Sequence, residues 1–263
     1  MSALAAKHNA INLSQGFPEF NPPDDLIRKV NESLLSGRNQ YSPMAGQLSL
    51  REVIAERQNA WGRSFEINPD TDITIVPGAT AGLFATFQAL VQQGEEVIIF
   101  DPSYDSYAPA IVLAGGIPIR IPLNQDFSMP WEQLKSKLSN RTAIIVVNTP
   151  HNPSGALWSA EDMQKLIELT RDTEILVLSD EVYEHIVFGG VRHESALRYP
   201  ELAARSFVIS SFGKTYHCTG WKIGYCIAPK ALTAEFRKVH QYNTFCSFAP
   251  AQWAFAEMIT QQP

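Results

Sequence analysis

The stretch Ala143-Ile144-Ile145-Val146-Val147-Asn148-Thr149-Pro150-His151-Asn152-Pro153-Ser154-Gly155 decides the fold. Its first five residues form an unbroken apolar run, the pattern of a strand covered on both faces. The remainder, dense in Asn, Pro and Gly, reads as a rigid turn just past that strand. Working outward, β-branched and apolar runs at 73–76, 97–100, 117–123, 175–178, 207–210 and 223–228 read as further strands. Helical patterns lie between them, at 24–35, 79–91, 104–113 and 131–138. Ser49 looks like the N-cap of a helix lined by Leu50, Val53, Ile54 and Trp61, and Ser159 caps one with Met163, Leu166 and Ile167 inward. Leu232, Phe236 and Val239 mark an amphipathic helix, and Trp253 and Phe255 sit on a last one. Strands alternating with helices predict an α/β chain: three layers, α/β/α, around a mostly parallel sheet. Residues 11–23, rich in Gly, Pro and Asn, predict an extended arm.

Composition narrows the class of partner. The 263 residues are 45% hydrophobic, with a net charge of -6 and no basic run, which argues against nucleic acid or an anionic membrane as partner. Three cysteines, Cys218, Cys226 and Cys246, show no metal-type pairing, so no metal site is expected. An odd cysteine count without an apolar leader or a bilayer-length apolar run reads as a cytoplasmic chain with reduced thiols.

In a parallel sheet of this kind, ligands sit beyond the carboxyl ends of the strands. Five polar clusters fall there: Gly78-Ala79-Thr80, Tyr104, Asn148 to Gly155, Asp180 to Tyr183, and Ser211 to Lys214. Lys214, just past a buried strand and among small residues, is a candidate amine nucleophile, since desolvation lowers the pKa of a lysine. The glycine turn at Gly78 opens a helix whose free N–H groups suit a phosphate, although such turns are common on their own. Ser211 and Lys222 add a hydroxyl and a cation. Asp180 at the mouth of an apolar strand needs a positive partner; a protonated pyridine nitrogen would serve, and so would an arginine. Tyr183 and Asn152 offer a phenol and an amide, and Tyr104 an aromatic face for a flat ring.

These parts together describe a planar pyridine with a phosphate arm and an aldehyde facing an amine. The chain resembles the pyridoxal-phosphate enzymes of fold type I, in the class I/II aminotransferase family. The resemblance is carried by residues 148–155, Ser179-Asp180-Glu181-Val182-Tyr183, Ser210-Ser211-Phe212-Gly213-Lys214-Thr215 and Gly220-Trp221-Lys222-Ile223-Gly224-Tyr225. Gln15-Gly16-Phe17-Pro18 and Asn39-Gln40-Tyr41 add to it, and Phe100-Asp101-Pro102-Ser103-Tyr104-Asp105-Ser106-Tyr107 is most similar to the methionine and kynurenine (glutamine-type) aminotransferases.

The resemblance implies pyridoxal 5'-phosphate as cofactor and the transfer of an amino group from an L-amino acid to a 2-oxo acid. It implies that Lys214 holds the cofactor as an aldimine and moves the substrate proton, and that Asp180 keeps the ring nitrogen protonated. Tyr183 and Asn152 would bond the ring's phenolic oxygen, while Tyr104 stacks on the ring. Gly78, Ala79, Thr80, Ser211 and Lys222 would hold the phosphate. Tyr41 would reach the phosphate of the neighbouring subunit in a homodimer with a shared site. Gly16, Phe17 and Asn152 would line the substrate pocket. Aromatic residues near that pocket, Phe17, Tyr104 and Tyr107, suggest methionine, an aromatic amino acid or kynurenine as donor.

The expected division is an N-terminal arm and helix over 1–40 and a large cofactor-binding domain over 41–263. Members of the family continue into a small domain carrying an arginine for the substrate carboxylate, and no motif here takes its place. A fragment or truncated product, binding the cofactor weakly and turning over poorly, is therefore expected. A cysteine-S-conjugate β-lyase on the same scaffold and an inactive remnant are the competing readings. A ligand-sensing regulator is a third, against which the acidic composition argues.

Overall fold

A computed structural model of the chain describes residues 1–12, 16, 18–60 and 66–261. The N-terminal part holds α1 (Ser2–Lys7), α2 (Asp24–Leu35) and α3 (Leu48–Ala60). The central part alternates: β1 (Ile73–Val76), α4 (Ala79–Leu90), β2 (Glu96–Asp101), α5 (Tyr107–Leu113), β3 (Ile117–Pro122), α6 (Trp131–Lys137) and β4 (Thr142–Asn148). It continues with α7 (Ala160–Thr170), β5 (Leu176–Asp180), α8 (Pro200–Ala203), β6 (Ser206–Ser211), α9 (Phe212–Thr215) and β7 (Gly224–Ile227). Two long helices, α10 (Lys230–Asn243) and α11 (Ala249–Gln261), close the chain.

The seven strands form one sheet in the order β1-β7-β6-β5-β4-β2-β3. Strands β3, β2, β4, β5 and β6 run parallel, whereas β7 is antiparallel to both β6 and β1. The unbroken apolar runs follow from burial on both faces. Successive residues of a strand point to opposite sides. Ile98, Ile145, Val177 and Val208 therefore enter one core with Leu50, Met163 and Phe255. Their neighbours Ile99, Ile144, Leu178 and Phe207 enter a second core with Leu83, Phe87 and Phe236. The second core is closed by α4, α5 and α10, and the first by helices that include α2, α3, α7 and α11. This is the expected three-layer arrangement.

Several boundaries differ from the sequence reading, each for a local reason. Ser49 is not the N-cap: α3 begins at Leu48, which places Ser49 inside the first turn with its hydroxyl buried. Trp61, expected on that helix, lies outside the described residues. Helix α5 starts at Tyr107 rather than Tyr104, leaving Tyr104 in the turn whose carbonyl accepts the Tyr107 N–H at 3.2 Å. Strand β5 runs on to Asp180, so that the carboxylate ends the strand itself. Helix α1, not anticipated, is a short Ala- and Leu-containing turn with no buried residue. Ser159 does cap α7, with the reciprocal Asp162 bond of a capping box.

The segment leading into α3 is pinned at Gly46. Its φ is +96°, and a Cβ there would overlap Cγ1 and Cβ of Ile75 in β1. The Gly46 carbonyl also accepts from the buried Arg51 guanidinium at 3.1 Å. Gly46→Ala combines a left-handed backbone with overpacking against a strand, and it is expected to lose about 2–4 kcal/mol of stability. Urea unfolding of the two proteins, followed by circular dichroism, reads this directly.

Candidate active site

The parallel strands deliver their polar ends to one edge of the sheet. Asn148 at the end of β4 pairs in register with Asp180 at the end of β5, and β6 ends on Ser211. Gly224, the first residue of β7, faces Ser211 on one side and Val76 on the other. The antiparallel β7 thus brings the turn after β1, with Gly78, to the same edge as Ser211 and Lys222.

Asp180 is 4% exposed. The Tyr107 hydroxyl donates to its Oδ2 at 2.6 Å, and the Val182 N–H donates to Oδ1 at 3.3 Å. Burial raises its carboxyl to about 6; the Tyr107 and Val182 bonds work against that rise, and the nearby Glu181 adds to it. Burial and the Asp180 charge push the Tyr107 phenol upward in turn, so the phenol stays protonated and the donor. Asn148 ties the neighbouring turn to the same place. Its Nδ2 donates to the Asp180 carbonyl at 3.0 Å, and its Oδ1 accepts from the Asn152 N–H at 2.8 Å. The Tyr104 ring meets Tyr107 edge-on at 5.5 Å, and its hydroxyl lies 3.1 Å from that of Thr80.

Lys214 lies on α9, the single turn after β6. Ser211 caps that turn by accepting from the Gly213 N–H at 3.1 Å. The Lys214 ammonium donates to the Gly16 carbonyl at 2.7 Å and sits 5.5 Å from the centre of the Tyr183 ring. Burial lowers its pKa first, and the Lys222 charge lowers it further. Both effects favour the neutral, nucleophilic amine.

The anion cradle lies beside it. Gly78 has a φ of +80° and precedes α4, a twelve-residue helix without a side-chain cap at its start. A Cβ on Gly78 would stand 3.2 Å from the Lys222 ammonium, so that the missing side chain leaves room between the helix terminus and the cation. Backbone N–H groups and the positive end of the helix dipole favour an anion there. Ala79 and Thr80 form the first turn of α4.

The structure therefore gathers Gly16, Gly78, Thr80, Tyr104, Asn152, Asp180, Tyr183, Ser211, Lys214 and Lys222 on one edge. Tyr41 stands apart, 83% exposed, with its ring edge-on to Phe245 at 5.6 Å. Phe17, and Gln15 of the same motif, lie outside the described residues. Tyr107 and Asn148 were read in the sequence as a pocket aromatic and a turn residue, and the structure makes them the supports of Asp180. Their signal was available as a second tyrosine one helical turn after Tyr104 and a polar residue ending an apolar strand.

The description of the family of class I and II aminotransferases matches residues 8–263. The chain belongs to that family. It is 50% identical over 265 residues to the methionine aminotransferase of Escherichia coli (strain K12), covering all of this chain and 68% of that protein. It is 35% identical over 283 residues to a kynurenine–oxoglutarate transaminase of Dictyostelium discoideum, covering 99% of this chain and 64% of that one. A crystal structure of a methionine aminotransferase from Escherichia coli superposes with a TM-score of 0.96 at 50% identity, over all of this chain and 69% of that chain. That of the N-succinyldiaminopimelate aminotransferase from Mycobacterium tuberculosis gives 0.95 at 36% identity, over 100% and 69%. The chain thus spans about two thirds of the length of these relatives.

Enzymes of this family work with pyridoxal 5'-phosphate, and the geometry fits it. A buried acid suits a cationic ring nitrogen, the Gly78 cradle suits a phosphate, and the depressed amine of Lys214 suits an aldehyde. Among the described residues no helix is long and apolar enough to cross a membrane.

The Asp180 environment makes a signed prediction for the cofactor-free protein. A carboxyl at about 6 in the folded chain holds its proton more tightly than the unfolded reference of 3.8. Its contribution to stability is therefore fully present below about pH 4 and is lost as pH rises through about 6. Asp180→Asn should flatten that decline in urea midpoints. Tyr107→Phe should move the Asp180 titration, followed by carbon-13 NMR, upward by about one unit, because a donor to the charged form is gone.

Proposed function

We propose that this chain is the cofactor-holding part of an aminotransferase that takes its amino group from a sulfur-containing or aromatic L-amino acid. The observation carrying the reading is the pairing, at the ends of adjacent strands β5 and β6, of a buried acid with an amine of lowered pKa. Beside them lies an anion cradle open at Gly78. A structural ion pair would satisfy Asp180 with a cation; here its side chain is bonded to Tyr107 and Val182.

Bound in this site, pyridoxal phosphate supplies an electron sink for negative charge at the α-carbon of an amino acid. The rest is the work of the chain's own residues. Asp180, held by Tyr107, would supply the negative charge that keeps the ring nitrogen protonated. Lys214 would hold the cofactor through its amine and, as the free amine, would carry the proton to and from the α-carbon as general base and acid. Its lowered pKa favours the free base that this transfer requires. Lys222, Ser211 and the first turn of α4 would hold the phosphate, and Tyr104 would cover the ring face. Tyr183 and Asn152 would bond the ring oxygen.

The donor class draws on the names of the relatives, a methionine aminotransferase at 50% identity and kynurenine transaminases at lower identity. Gly16, beside the Lys214 amine, belongs to the substrate side. Residues 41–263 form the cofactor-binding unit, and the exposed Tyr41 fits a role in a homodimer, reaching the phosphate of a second copy.

Absorbance of the purified chain with added pyridoxal phosphate tests the reading. A visible band is expected that borohydride fixes onto Lys214 and that is absent in Lys214→Ala. Methionine should then shift the band to shorter wavelength and release its 2-oxo acid. No band in the folded wild-type chain, or an equal band in Lys214→Ala, would sink the assignment.

A further inference from the structure

A cavity of about 190 Å³ lies beneath the loop that joins β3 to α6, next to the site, and Lys214 is not among its lining residues. Most of its lining is apolar, including Phe100, Leu123, Phe127, Met129 and Trp158. Asp126, Phe127 and Ser128 are exposed and form its mouth. The aromatic frame is braced, with Trp158 edge-on to Phe100 at 6.3 Å and to Trp131 at 5.7 Å.

The polar groups of the lining are already bonded within the protein. The Tyr107 hydroxyl donates to Asp180, and both ends of the Asn148 amide are engaged. His151 Nδ1 is 2.7 Å from the Ser154 hydroxyl, and the ring also bonds the Pro102 carbonyl. At the mouth, Asp126 accepts from both the N–H and the hydroxyl of Ser128. Asp162 accepts from the Ser159 N–H and hydroxyl and from the Trp131 indole N–H.

A water in such a cavity needs two to four polar partners, and the lining offers few that are not already committed. Apolar cavities of about 150 Å³ take up benzene instead. We propose that this cavity is a binding site for an uncharged aromatic molecule of benzene to indole size. The site goes beyond the cofactor reading and does not depend on it. Its occupant packs against the ring of Tyr107, the residue whose hydroxyl holds Asp180, so that the two sites share one side chain.

Fluorobenzene, followed by fluorine NMR with the whole chain, tests this with or without pyridoxal phosphate. Saturable line broadening is expected, with a dissociation constant of about 1 mM or tighter. Ala156→Leu and Leu123→Phe each fill the cavity from a different wall, and each should weaken binding at least about fivefold. Urea midpoints establish that the variants are folded. The anionic probe 4-fluorobenzoate should bind at least about tenfold more weakly, since its charge would be buried without a partner. No saturable broadening by fluorobenzene, undiminished binding in both filled variants, or equal binding of 4-fluorobenzoate would overturn the proposal.

Discussion

A carboxylate taken out of water at the end of a strand must find hydrogen bonds or lose its charge, and the site is arranged around that constraint at Asp180. Strand β5 is sandwiched between two cores, so its last residue is carried into the interior. The Tyr107 phenol and the Val182 N–H answer part of the cost, and a carboxyl at about 6 shows that they do not answer all of it. The remaining demand is for positive charge, which a protonated pyridine would meet. Helix α5 is thereby tied to β5 through one bond, and Tyr104 is placed by the turn that precedes that helix.

The second element is built by topology. A fully parallel sheet would have put the start of β7 at the far end of the sheet. Because β7 runs antiparallel between β6 and β1, its beginning meets the ends of both neighbours. Lys222, just before β7, then stands beside Gly78, just after β1. Cation, helix terminus and hydroxyl converge although 144 positions (222 minus 78) separate the first from the second. The same convergence lowers the pKa of Lys214, since its ammonium is half-buried and near another positive charge.

The layers were legible in the sequence because burial on both faces leaves unbroken apolar runs, and residues 143–147 show one plainly. Most candidate residues were legible because ligands gather at strand ends. Ser49 misled, since a serine before a helical pattern signals a cap whether or not the helix starts one residue earlier. Tyr107 was seen only as an aromatic near the pocket. Its hydroxyl finds a partner 73 positions away, and sequence spacing carries no information about such a pair.

The sequence by itself determined the alternation of strands and helices, the strand-end positions of the polar clusters and the resemblance to a pyridoxal-phosphate family. Those features are local, written in runs of side-chain type and in short motifs. Only the tertiary structure decided that β7 is antiparallel, that Tyr107 and Asn148 hold the end of β5, and that a cavity adjoins the site. These depend on the register between strands and on packing between distant segments, where the free energy is set by which groups share a buried space rather than by their order along the chain.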